Sequence, residues 1–231
     1  MNKITTIAFD ADDTLWVNEP IFTQTRIRLE EIVAPYIPIE TLEADLYKFE
    51  NQNLSLFGYG VKGFMLSMIE TALEMTDQRL SGADVQHIID LGKDMLQHPI
   101  EVLPGIIETL EALKDRYELM IITKGDLFDQ ETKIARSGLA HYFNRVEIVS
   151  EKNTGSYQEL IDHNGLDINR FVMIGNSLKS DVLPVCKIGG KAIHIPFHET
   201  WVHEKVESHE TEGFEYLELG DVRELISLMK R

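Results

Sequence analysis

Between residues 8 and 16 the chain reads AFDADDTLW, so Asp10, Asp12, Asp13 and Thr14 follow directly on the apolar run Ile4 to Phe9. Several carboxylates within a few ångströms of one another do not all ionise cheaply unless a cation sits among them. Hard oxygen ligands of this kind select Mg²⁺, which keeps several waters and takes only one or two protein carboxylates together with phosphate oxygens. Three more stretches carry matching chemistry: TKGD, with Thr123, Lys124, Gly125 and Asp126; SEKN, with Lys152; and GNSLKSD, with Asn176, Ser177 and Asp181. A lysine and a hydroxyl among backbone amides suit a phosphoryl group, whose equatorial oxygens gain contacts in the transition state. Hydrolysis of a phosphate monoester demands accelerations of up to ~10²¹-fold, whereas one general acid or base supplies about 10²- to 10⁴-fold. A carboxylate nucleophile splits the reaction into two displacements, and a metal ion and a lysine stabilise the transferring group. Asp10 and Asp12 then divide the labour: one attacks phosphorus, and the other protonates the leaving alkoxide and later deprotonates water.

These residues need elements that bring them together. Each group follows a short apolar run, at 4 to 9, 118 to 123, 146 to 150 and 171 to 175, with a fifth run at 191 to 196. Continuous apolar runs predict strands buried on both faces. Amphipathic helical patterns alternate with them at 105 to 116, 127 to 137, 154 to 163, 178 to 187 and 220 to 230. That alternation predicts an α/β fold, a Rossmann-like parallel sheet with helices on both faces, whose ligands bind beyond the carboxyl ends of the strands. Residues 18 to 98 break the pattern with four consecutive helical stretches and no strand. Pro20 suits a first helical turn; Ile39, Leu42, Leu46 and Phe49 make one stripe, and Met65, Met68, Ile69, Ala72 and Leu73 another. Ser81 with Asp84 resembles a capping box ahead of Val85, Ile88, Ile89 and Leu96. The expected organisation is a discontinuous core domain, 1 to 17 with 99 to 231, and an inserted helical bundle, 18 to 98.

Motif and order together resemble the haloacid dehalogenase superfamily, specifically its phosphatase branch. DADDT (10 to 14) is similar to the family's first motif, Thr123 to the second, Lys152 to the third and GNSLKSD (175 to 181) to the acidic fourth, and the helical insertion resembles a class I cap. The resemblance implies that Asp10 is the nucleophile and becomes an aspartyl phosphate, with Asp12 as general acid and base. It implies that Thr123 and the amide of Lys124 hold the phosphoryl oxygens and that Lys152 binds nucleophile and phosphate. The implied Mg²⁺ set is Asp10, the backbone carbonyl of Asp12, Asn176 and Asp181. Asn176 departs from the family, in which many members carry an aspartate at that position. In class I caps a loop between the halves of the bundle helps choose the substrate, which makes Lys62, within FGYGVKGF (57 to 64), a candidate substrate contact. Trp16 and Asn18 are expected at the hinge, and Asp13 and Asp126 in the scaffold or turns.

Composition bounds the partners. With 22 basic and 39 acidic residues the net charge is -17, which disfavours nucleic acid and anionic lipid. The single cysteine, Cys186, supports neither a disulfide framework nor a cysteine-rich metal site. No apolar run approaches a membrane span and the N-terminus lacks a signal-peptide pattern, so a cytosolic location is expected. His194, His198, His203 and His209 crowd one region, but only His194 and His198 have the i, i+4 spacing of a metal-binding helical pair, and these two are expected to straddle a strand and loop across Pro196. The leading expectation is a Mg²⁺-dependent phosphatase acting on a small phosphorylated metabolite. A phosphomutase uses the same motifs; a dehalogenase needs neither metal nor Asp12. From another class, a phospho-accepting receiver would place its aspartate after a middle strand and lack the helical insertion, and a non-catalytic binding protein on this scaffold has only Asn176 in its favour.

Overall fold

In the computed structural model, which describes residues 4–229, six strands form one parallel sheet: β1 (Thr6–Phe9), β2 (Glu118–Lys124), β3 (Arg145–Val149), β4 (Phe171–Gly175), β5 (Lys191–His194) and β6 (Leu217–Glu218). The spatial order is β3-β2-β1-β4-β5-β6. Successive side chains on a strand point to opposite faces, and the two cores sort accordingly. Ile7, Phe9, Leu119, Ile121, Val172 and Ile174 enter one cluster, whereas Ala8, Met120, Ile122, Phe171 and Met173 enter the other. The apolar runs of β1, β2 and β4 are thus buried on both faces. The third run departs from that expectation: β3 is an edge strand with Val146 exposed, because only one neighbour covers it. β6, two exposed residues long, carries too little hydrophobic signal for the sequence to announce it.

The chain divides into two compact units, one made of residues up to Glu19, Ile100–Lys124 and Gln130 onward, the other of Pro20–Pro99 with Gly125–Asp129. The second contains helices α1 (Glu19–Val33), α2 (Leu42–Phe57), α3 (Val61–Met75) and α4 (Gly82–Gln97). Leu29, Val33, Leu42, Leu46, Phe64, Met68, Ala72, Ile88 and Met95 fill its core. Ile39 lies before α2 and is exposed, so the buried stripe of α2 is Leu42, Leu46, Glu50 and Asn53 instead. The buried amide of Asn53 is satisfied by donating to Ser67 Oγ at 3.2 Å and Glu70 Oε2 at 2.7 Å. Ser81 caps α4 by accepting from the Asp84 amide at 3.1 Å; its own N–H donates to the Tyr36 hydroxyl, so the reciprocal arm of a capping box is missing.

The remaining helices are α5 (Ile106–Leu113), α6 (Leu127–Arg136), α7 (Thr154–His163), α8 (Leu183–Lys187) and α9 (Glu224–Leu228). The amphipathic stretch at 178 to 187 is not one regular helix. Leu178–Val182 is a π-helical turn in which the Val182 amide donates to the Ser177 carbonyl at 3.2 Å, and α8 follows it. Such turns concentrate at functional sites, since they aim side chains that a regular helix would misplace. No helix among the described residues is long and apolar enough to cross a membrane.

Candidate active site

β1 runs to β2 and β3 on one side, and the chain then returns to place β4 on the other side of β1. The topology therefore reverses between β1 and β4, and the crevice beyond their carboxyl ends is the expected ligand site of such a sheet. Phe9 is in register with Ile121 and with Ile174, so Asp10, Thr123 and Asn176 emerge at one edge. The Asp10 amide adds one more rung by donating to the Ile174 carbonyl at 2.8 Å.

Asp10, Lys152 and Asp181 come together there. Lys152 Nζ donates to Asp10 Oδ1 and, at 2.7 Å, to Asp181 Oδ1, with all three side chains almost fully buried. Lys152 is steadied by the adjoining helix start: Asn153 and Ser156 form a capping box at the beginning of α7, with bonds of 3.0 and 2.9 Å. Asp181 Oδ2 accepts from the Ser177 amide at 3.0 Å. Gly175 makes room for it, since a Cβ there would lie 2.1 Å from Asp181 Oδ2. Burial pushes the Asp10 carboxyl up to about 7, with Lys152 opposing and Asp181 adding to the rise. For Lys152, burial disfavours the charge, but Asp10 and Asp181 outweigh it and hold the amine above its ordinary value.

Thr14 reaches across to the loop after β4. Its hydroxyl lies 3.2 Å from both Asp10 Oδ2 and Asn176 Oδ1 and accepts from the Asn176 amide at 3.1 Å. The Asn176 carbonyl accepts from His194 Nε2 at 3.0 Å, and His194 Nδ1 is 2.9 Å from Glu218 Oε2, so this histidine holds the strand-end loop. Among the described residues no three His, Cys, Asp or Glu side chains converge as a ready metal cage.

The Asp12 side chain points into a separate network. Lys133 Nζ donates to its two oxygens at 3.0 and 3.1 Å, Gln130 Nε2 donates at 2.8 Å and Trp16 Nε1 at 2.8 Å. Burial works against the charge, yet Lys133, Gln130 and Trp16 together hold the Asp12 carboxyl below its ordinary range. Thr123, also buried, donates to Gln130 Oε1 at 3.3 Å, so one amide side chain connects two of the sequence-derived site residues. Lys133 also donates to Asn18 Oδ1 at 2.8 Å. Trp16 and Asn18, expected at a hinge, are thereby tied to Asp12. Sequence reasoning missed Gln130 and Lys133, although a signal existed: LFDQETKIAR has few apolar residues, and Gln130, Lys133 and Ile134 share one helix face. Polar groups on the inward face of such a helix must find buried partners.

Asp13 accepts from the amides of Asn18 and Glu19 at 2.7 and 3.1 Å, a scaffold role at the start of α1. Asp126 accepts from the Asp129 amide at 3.0 Å in the first turn of α6. Lys62, the candidate substrate contact, pairs with Asp126 at 2.8 Å and lies over the Phe128 ring. The Lys124 side chain is engaged with Glu204 and, at 3.0 Å, with Ser180 Oγ, a set of partners that gave no sign in the sequence.

A family model described as haloacid dehalogenase-like hydrolase matches residues 4–184. A haloacid dehalogenase-like family hydrolase from Xanthomonas campestris shares 40% identity, covering 98% of this chain and 91% of its own, with a TM-score of 0.87. Glyceraldehyde 3-phosphate phosphatase of Methanothermobacter thermautotrophicus is 25% identical over 96% of this chain and 98% of its own length. The magnesium-bound hydrolase YfnB of Bacillus subtilis is alike in fold, at 15% identity, full coverage of both chains (100% each) and a TM-score of 0.67. With the motifs at the strand ends and a family match over most of its length, this chain belongs to the haloacid dehalogenase-like hydrolases.

Proposed function

We propose that the protein is a Mg²⁺-dependent phosphatase that hydrolyses a small organic phosphate monoester through an aspartyl phosphate on Asp10. The observation that carries this reading is the buried triad in which one ammonium, from Lys152, serves two carboxylates, Asp10 and Asp181. When both carboxylates are ionised one negative charge is left over, and buried charge without compensation is costly. The donor chemistry fits Mg²⁺. The carboxylates of Asp10 and Asp181, the amide oxygen of Asn176 and the carbonyl of Asp12 are hard oxygens, and this ion needs only one or two protein carboxylates. When bound, it neutralises charge on the phosphoryl oxygens as a Lewis acid.

The chain's own residues do the rest. A carboxylate oxygen of Asp10 bonds to phosphorus as the ester P–O bond breaks, and the departing alkoxide takes a proton from Asp12. Lys152 neutralises charge on the phosphoryl group, and the Thr123 hydroxyl and the Lys124 amide orient it. Water then attacks phosphorus and gives its proton to Asp12; inorganic phosphate leaves and Asp10 is restored. The full-length relationship to a glyceraldehyde 3-phosphate phosphatase supports a small phosphorylated metabolite as substrate.

The test is phosphate release from para-nitrophenyl phosphate and a panel of triose, sugar and nucleoside monophosphates, in Mg²⁺ and in EDTA. Turnover in Mg²⁺ that falls at least ~10²-fold on chelation is the expected outcome, in keeping with the several kcal/mol a metal ion contributes to such transition states. Folded protein that releases no phosphate anywhere on the panel would overturn the reading.

The Asp12 network carries a second prediction. Lys133 favours the ionised carboxylate that the second displacement needs, at the expense of the protonated form that the first needs. Lys133→Met removes the main influence lowering the Asp12 pKa, so the basic limb of the kcat/KM profile, set by loss of the proton that the first displacement needs, moves to higher pH. The loss at the optimum is about 10-fold, short of the roughly 10²- to 10⁴-fold worth of a general acid or base, because Gln130 and Trp16 still hold the carboxylate. A basic limb that stays in place would show that Asp12 does not govern it.

A further inference from the structure

A carboxylate that the proposed chemistry does not use joins two of the strand-end loops. Glu204 ends a short 3-10 turn, Val202–Glu204, in the segment after β5, and its side chain is only 12% exposed. Oε1 accepts from Lys124 Nζ, at the end of β2, and Oε2 accepts from Ser177 Oγ and, at 2.6 Å, from Ser180 Oγ, in the loop after β4. The bonding is complete on the far side as well. Ser177 Oγ accepts from the Ser180 amide at 3.0 Å, and Ser180 Oγ accepts from Lys124 Nζ at 3.0 Å, so each hydroxyl both donates and accepts. Lys179 Nζ donates to the His203 carbonyl at 2.7 Å and ties the backbone of the turn to the same loop. The Trp201 ring lies 5.9 Å from Lys124 Nζ. Burial works against the charge of Glu204, but Lys124 and the two hydroxyls hold it below its ordinary range, as a fully bonded buried carboxylate should be.

We propose that Glu204 is a positioning residue: by bonding Lys124, Ser177 and Ser180 at once, it fixes the loop and π turn that carry Asn176 and Asp181. Its kinetic consequences rest on the phosphatase reading, whereas its mechanical consequences rest on the geometry alone. The loop needs such a fastening, because the π turn departs from regular helical bonding and Asp181 must meet Lys152 in a crevice that only glycine at 175 leaves open. The assignment also means that the Lys124 ammonium serves structure, leaving the charge on the phosphoryl group to Lys152.

Glu204→Gln, Lys124→Met and the double variant test this, with Ser180→Ala as a milder variant should any of these fold poorly. Outer partners of metal-site ligands typically contribute about 10- to 100-fold in affinity or activity. Each single variant is therefore expected to lower kcat by roughly that factor, with KM changed far less. The double variant should be little worse than either, since both substitutions break one bridge. If instead Lys124 binds substrate and Glu204 merely restrains it, Glu204→Gln raises kcat/KM and Lys124→Met raises KM, which would overturn the proposal.

Amide hydrogen exchange across residues 176–182, measured without substrate, supplies a readout independent of the reaction. Faster exchange there in Glu204→Gln, with exchange in β1 and β4 unchanged, is expected, and unchanged exchange at 176–182 would overturn the proposal. Wild-type protein that hydrolyses no phosphate would defeat the phosphatase reading, and the exchange result would still decide the role of Glu204.

Discussion

Asp10→Asn is expected to abolish turnover, by on the order of 10⁴-fold or more, while leaving the fold as stable as the wild type or more so. The rate effect follows from the role assigned to Asp10: an amide neither attacks phosphorus nor leaves from it, and deletion of a nucleophile in other enzymes costs up to about 10⁶-fold. The stability effect follows from burial. The Asp10 carboxyl is pushed up to about 7, against about 3.9 in an unfolded chain. The native state therefore binds more protons than the unfolded state between these values, and this group's contribution to stability falls as pH rises through them. Asparagine removes that pH-dependent term, and Asp181 keeps its bond to Lys152. In EDTA, the thermal midpoint of Asp10→Asn relative to wild type should rise between pH 5 and pH 8. The opposite contribution of Asp12 is present in both proteins and cancels in the difference. A variant that loses activity only because it unfolds, or one that retains turnover, contradicts the assignment of Asp10 as the nucleophile.

How far such a site can be read from sequence depends on what holds each residue in place. Asp10, Thr123, Lys152 and Asp181 lie at or beyond the carboxyl ends of parallel strands, whose apolar runs are their own signal, and the parallel order carries the strand ends to one edge. Their convergence is a consequence of topology, so short motifs suffice to anticipate it. Glu204 has no such support. It sits in a loop, and its bond to Lys124 spans 80 residues of sequence, with no periodicity to point from one to the other. The π turn at Leu178–Val182 is hidden for a related reason, since the side-chain bonds of Ser177 and Asp181 compete locally with regular helical bonding. Gln130 and Lys133 fall between these cases: the helix was legible, but the partner of its polar face was not. The edge strands differ from one another: β3 was legible as a strand but not as one covered on a single side, whereas β6, two exposed residues long, left no hydrophobic signal.

Lys152→Met separates the observed pairing of one buried ammonium with two carboxylates from the catalytic duty proposed for it. Removing it takes away charge stabilisation of the transferring phosphoryl group, for which a loss of roughly 10²- to 10³-fold or more is expected. It also leaves Asp10 and Asp181 buried together without their cation, and breaking a buried pair in this way costs about 3–5 kcal/mol. The penalty should shrink as pH falls and one carboxyl takes up a proton, because an acid whose folded pKa lies above its unfolded value favours the native state at low pH. Lys152→Met combined with Asp10→Asn then discriminates the duties. The second substitution removes one of the two stranded carboxylates, so most of the lost thermal stability should return while activity stays absent. If the double variant is no more stable than Lys152→Met alone, the instability arises from packing around the lysine stem and not from the charge it balances. If Lys152→Met is stable at pH 8, the two carboxylates already hold a proton or a cation between them, and the triad is not the electrostatic unit that its geometry describes.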